Sequence, residues 1–129
     1  MNIAVVCNRI PEREQIRAGI DSFGTQNGIA ITLCEFRTGT DLLYGMQQKH
    51  YDIAIIALPG TDGMETANSA SEFDKQLSII WISDDEGFGM MSYRLSVRSF
   101  MTFPVTKEQV VCALMRCVPT YFTNEETAD

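Results

Sequence analysis

The chain has 129 residues, 45% of them hydrophobic and 21% charged, the size and balance of one domain that builds its own core. Ten basic against seventeen acidic residues give a net charge of −7, which repels phosphate backbones and argues against nucleic-acid binding by this chain alone. The longest apolar run, Ile53 to Leu58, is too short to span a membrane, and Met1 to Arg9 has no basic lead for a signal peptide; the expected location is the cytoplasm, with no membrane partner.

Five apolar runs alternate with five stretches of helical character. The first strand is expected over Asn2 to Cys7, and the first helix opens at Pro11, where a missing amide hydrogen costs nothing. Ile16, Ile20 and Phe23 recur at helical spacing until Asn27-Gly28 stops them. Strand 2 is expected over Ala30 to Phe36, followed by a helix after Thr38-Gly39-Thr40-Asp41 with Leu42, Leu43 and Met46 inward. Strand 3 covers Asp52 to Ala57, and a polar helix runs from Asp62 to about Phe73 with Met64, Ala67 and Ala70 inward. The context Asp62-Gly63 makes Asp62 a turn and helix-cap residue. Strand 4 is Ser78 to Ser83. The following helix, around Asp85 to Leu95, is weakened by Gly87 and Gly89. Strand 5 is Ser99 to Phe103, and Thr106-Lys107-Glu108-Gln109 opens the last helix with a capping box. That helix carries Val110, Ala113, Leu114 and Cys117 inward, with Pro119 beyond its end. Ile3-Ala4-Val5-Val6, Ile53-Ala54-Ile55-Ile56 and Ile79-Ile80-Trp81-Ile82 are apolar on both faces, as strands of a helix-covered parallel sheet are. Strict alternation predicts right-handed βαβ units, hence an α/β fold. The polar tail, residues 119–129, is expected to fray or to begin a linker.

Cys7, Cys34, Cys112 and Cys117 show no C-x-x-C spacing, so they are expected to be small buried hydrophobes rather than zinc or redox ligands. His50 is expected in a solvated turn without a partner. Asp84-Asp85-Glu86 resembles a metal cluster, but carboxylates at a helix start more often complement its dipole. No acid–base pair, nucleophile–base pair or metal-ligand spacing stands out; no catalytic residue, metal or cofactor is expected.

The order of elements, and the junctions Tyr51-Asp52-Ile53, Pro59-Gly60-Thr61-Asp62-Gly63-Met64-Glu65 and Phe100-Met101-Thr102-Phe103-Pro104-Val105, resemble a bacterial response-regulator receiver domain over residues 1–118. Ile3-Ala4-Val5-Val6-Cys7 and Tyr93-Arg94-Leu95-Ser96-Val97 are similar to receivers that precede LytTR-type DNA-binding domains. The resemblance implies a flavodoxin-like (βα)5 fold, sheet order 2-1-3-4-5 with helices on both faces, and function at the carboxyl ends of the strands. It also implies a phosphoryl-accepting aspartate after strand 3, a divalent cation held with an acidic pair after strand 1, a hydroxyl ending strand 4 and a lysine after strand 5.

At these positions the chain carries Ala57 for the acceptor, Asn8 and Arg9 for the acidic pair, Ser83 for the hydroxyl and Phe103 for the lysine. Only Ser83 keeps the family's chemistry, and a bond to its own loop is the simpler use for it. The resemblance therefore implies a degenerate receiver acting by protein contact, either alone or as the N-terminal half of a LytTR-type transcription regulator. A small-ligand or anion-binding flavodoxin-like protein, using Arg9 and Ser83, is the alternative. Two further features follow from the family: a cis bond before Pro104 with Phe103 turned over the site, and a partner or homodimer surface on helix 4, strand 5 and helix 5. On that surface Phe100 takes the switch position and is expected inward, while Met90, Met91, Tyr93, Arg94 and Arg98 supply contact groups.

Overall fold

The computed structural model describes residues 1–95 and 97–118; the expectations for the tail at 119–129 and for Pro119 lie outside the described residues. Five strands, β1 Asn2–Cys7, β2 Thr32–Phe36, β3 Ile53–Ala57, β4 Ser78–Ser83 and β5 Ser99–Thr102, form one parallel sheet in the order β2-β1-β3-β4-β5. Five helices connect and follow them: α1 Ile10–Asn27, α2 Gly39–Gln48, α3 Gly60–Phe73, α4 Gly89–Arg94 and α5 Lys107–Met115. This is the flavodoxin-like (βα)5 arrangement. β1, β3 and β4 lie inside the sheet and are buried on both faces, which is why their sequences do not alternate.

The period of two along each strand divides the core. Ile3, Val5, Ile53, Ile55, Ile80 and Ile82 pack against Ile16, Ile20 and Phe23 of α1 and against Val110, Ala113 and Leu114 of α5. On the opposite face Ala4, Val6, Ala54, Ile56 and Ile79 meet Leu42 and Met46 of α2 and Ala67 and Ala70 of α3. Gly63 sits where a Cβ would lie 2.4 Å from the Leu58 carbonyl oxygen and 2.8 Å from Trp81 Nε1, so a glycine lets α3 approach the sheet. Trp81 is fully buried there, and its indole nitrogen has no hydrogen-bond partner.

Helix ends follow the local chemistry in part. Pro11 stands in the first turn of α1, and Gly28 ends the helix at φ 62° with its N–H on the Gly24 carbonyl. Thr106 and Gln109 form the expected capping box at α5. Other boundaries moved. β2 begins at Thr32 rather than Ala30, because Thr32 is the first residue in register with Asn2 of β1, and β5 ends at Thr102, opposite Ser83. α3 starts at Gly60 with Pro59 before it, so Asp62 is no cap; it lies in the first turn, where a carboxylate favours the helix dipole. The expected helix from Asp85 to Leu95 is broken. Asp85 accepts the Gly87 amide at 2.8 Å and caps a single 3-10 turn, Glu86–Phe88, before the six residues of α4.

Two cysteines depart from expectation. Cys7 and Cys117 are buried, Cys34 is half-buried, and Cys112 is exposed, since α5 turns Val110, Ala113 and Leu114 inward and Cys112 away. His50 also has a partner the sequence hid: its Nε2 lies 3.8 Å from the Asp74 carboxylate that follows α3.

Candidate functional site

In an open parallel sheet the loops at the carboxyl ends of the strands converge, and ligands bind in the crevice there. Here these loops bring together the residues after β1, β3, β4 and β5. Ala57 ends β3, fully buried within the α1–α5 core layer. Its methyl group offers neither a nucleophile nor a metal ligand. After β1 the chain diverges: Asn8 lines a polar cleft of about 310 Å³ between α2 and α3, beside Thr38, Asp62 and Thr66. Arg9 turns the other way. Its guanidinium lies over the Phe103 ring, 4.7 Å from the centroid, and 3.9 Å from the Glu12 carboxylate. A second cation, Arg13, donates to the Cys7 carbonyl at 3.0 Å.

The Phe103-Pro104 bond is cis, and Phe103 packs half-buried against the α1–α5 core layer. Arg9 and Phe103 are thus joined by a cation–π contact. The sequence named both residues but not their pairing. Arg9 and Phe103 are distant in the chain, and nothing local in either segment signals the other.

Ser83 is fully buried. Its hydroxyl donates to Asp84 Oδ1 at 3.3 Å and accepts the Asp85 amide at 3.4 Å, so it serves its own loop. Asp84 does not complement the dipole of the helix that follows it. Its carboxylate accepts the Gly60 amide at 2.9 Å, and therefore caps the amino end of α3. That hydrogen bond, foremost, holds the Asp84 carboxyl below the usual range, with Ser83 and the charge of Arg9 adding to it. Gly60 has φ 61°, a left-handed backbone that glycine adopts without strain. The Asp84 carboxylate consequently accepts from both Ser83 Oγ and the Gly60 amide. Asp84, Asp85 and Glu86 do not converge: no group of three His, Cys, Asp or Glu among the described residues could hold a metal ion.

On the neighbouring face Phe100 is half-buried, its ring edge-on to Trp81 at 5.2 Å and 81°. Phe88 adds a third ring 5.6 Å from Trp81. Outside this cluster Met90 is 80% and Tyr93 90% exposed. Arg94 and Arg98 are exposed as well, and Met91 is half-buried.

Solved structures match this architecture closely in shape and weakly in sequence. The response regulatory domain of protein mrkE from Klebsiella pneumoniae aligns over 95% of this chain and 99% of its own, with a TM-score of 0.79 and 17% identity. The REC domain of AraT, a response regulator from Geobacillus stearothermophilus, aligns over 99% and 98%, with a TM-score of 0.74 and 17% identity. The fold is the receiver fold. A response regulator receiver domain protein from Clostridium thermocellum superposes similarly, at a TM-score of 0.75 over 95% and 97% with 12% identity. No protein-family profile and no curated protein matches the sequence. At the carboxyl pole of this fold the chain carries an alanine, a stacked arginine–phenylalanine pair and an aspartate bonded within its own loops. No helix among the described residues is long and apolar enough to cross a membrane.

Proposed function

We propose that this chain is an atypical receiver module in signal transduction, unable to accept phosphate on aspartate and acting through protein contacts. The observation that carries the reading is the buried methyl group of Ala57 at the end of β3. Phosphoryl transfer needs an oxygen nucleophile at that point and a cation to neutralise the phosphate. Ala57 lacks the first, and the guanidinium groups of Arg9 and Arg13 oppose the second. No catalysis is expected of the chain.

Its output surface is α4, β5 and α5. Phe100, packed edge-on against Trp81, supports a surface that is constant rather than switched, and exposed Met90, Tyr93 and Arg94 suit a partner or a second copy offering apolar and acidic groups. Tyr93-Arg94-Leu95-Ser96-Val97 supports placing the module, in the cytoplasm, as the regulatory half of a LytTR-type transcription regulator. The test is exposure to acetyl phosphate with magnesium, and separately to beryllofluoride. We expect no mass increase and no amide shifts at residues 55–60; a stoichiometric phosphoryl adduct or shifts centred there would overturn the reading.

A further inference from the structure

The opposite pole of the sheet carries a second feature, which goes beyond that reading and does not depend on it. α4 has six residues, a rise of about 9 Å, whereas β4 beside it extends about 20 Å. Near the end of α4 lie the amino ends of β4 and β5, where Ser78 and Ser99 are buried. A groove of about 720 Å³ wraps around them, from the Tyr93 side of α4 to Arg116 beyond the end of α5. That volume lies in the range of small-molecule sites.

The charge of its lining is opposite to that of the chain. Among the described residues Lys75, Arg98 and Arg116 border the groove and no carboxylate does, so three of the ten basic residues meet there in a protein with seventeen acidic ones. Arg116 donates to Ser99 Oγ at 3.0 Å. A serine hydroxyl that accepts this bond keeps its own proton to donate, and Ser99 is buried at the groove wall. Ser92, by contrast, donates to the Gly89 carbonyl at 2.6 Å and has no proton to spare. The donors gathered here are an ammonium, guanidinium groups and a hydroxyl, the set that recognises phosphate oxygens. Tyr93 also borders the groove and is 90% exposed, an aromatic face available for a planar ring.

We propose that this groove binds a small phosphate-bearing ligand with a planar ring, of the nucleotide class, its phosphate on Arg116, Lys75 and the Ser99 hydroxyl and its ring against Tyr93. Because the cations are exposed, binding weakens as salt rises. The test is amide NMR of the protein titrated with AMP, with inorganic phosphate and with adenosine. AMP is expected to give saturable shifts at Ser78, Ser99 and Arg116, inorganic phosphate weaker shifts at the same residues, and adenosine none. Lys75→Gln and Arg116→Gln, both at exposed positions, are each expected to raise the AMP dissociation constant at least about threefold, and together about tenfold, while the rest of the spectrum is unchanged. Absence of saturable shifts at millimolar AMP, or an unchanged constant in the double variant, would overturn the assignment.

Discussion

Replacing Phe103 by lysine tests whether the arginine and phenylalanine at the carboxyl pole form one unit. The substitution removes a cation–π contact worth about 0.5–1 kcal/mol at a partly exposed site and the partial burial of a ring worth about 1 kcal/mol more. It also sets an ammonium group beside the Arg9 guanidinium, which now lies 4.7 Å from the ring centroid. The Arg9 side chain is 46% exposed, so a water-like dielectric applies and the repulsion is about 1 kcal/mol. Phe103→Lys should therefore destabilise the domain by about 2–4 kcal/mol. Arg9→Asp alone loses the contact with the ring and adds a carboxylate near Glu12, for about 0.5–1.5 kcal/mol. Combined with Phe103→Lys it turns repulsion into attraction, and the double variant should regain about 1–2 kcal/mol relative to the sum of the single changes. Urea denaturation of the four proteins, followed by circular dichroism, measures the cycle. Additivity within about 0.5 kcal/mol would refute the pairing.

The Asp84 carboxyl is held low by the Gly60 amide, so it contributes stability above its ordinary value of 3.8 and loses that contribution as pH falls through the lower folded value. Asp84→Asn should lower the urea midpoint at neutral pH, and the gap to the wild type should close as pH falls through the lowered folded value and the carboxylate is protonated; a gap of constant size across the acid range would show that the charge is irrelevant. Iodoacetamide should alkylate Cys112 first, since it is exposed, whereas Cys7 and Cys117 are buried and burial pushes the Cys117 thiol up to about 11. Mass spectrometry finding Cys117 modified as fast as Cys112 would contradict the packing under α5. For the output surface, Arg94→Glu with Arg98→Glu is expected to release a partner or dissociate a dimer, with the domain's circular dichroism unchanged. A wild type that sediments as a monomer at high concentration would remove the dimer, and retention of every partner by the variant would remove the surface.

The residue types at the pole were readable in order: Ala57, Arg9 and Phe103 stand at recognisable junctions, and the sequence alone names them. How those residues reorganise was not readable. Asp84 next to Asp85 and Glu86 looked like the start of one helix, yet Asp84 caps another, α3, because β3 and β4 are neighbours in register and their following loops end side by side. The shortness of α4 was partly legible in Gly87 and Gly89, but the Asp85–Gly87 bond that diverts the chain into a 3-10 turn competes locally with helix in a way that propensity alone does not resolve.

The sequence by itself determined the alternation of strands and helices, the two apolar faces of the central strands and the capping box at Thr106. Each of these rests on interactions within a few residues, or on a period that burial imposes along one element. Only the tertiary structure decided that Arg9 stacks on Phe103, that Asp84 fills the donors beside Ala57, that His50 meets Asp74, and that Lys75, Arg98 and Arg116 share one groove. These contacts join segments far apart in the chain. Parallel crossovers deliver such segments to the same pole of the sheet, and the direction each side chain takes there is set by packing that no single segment encodes.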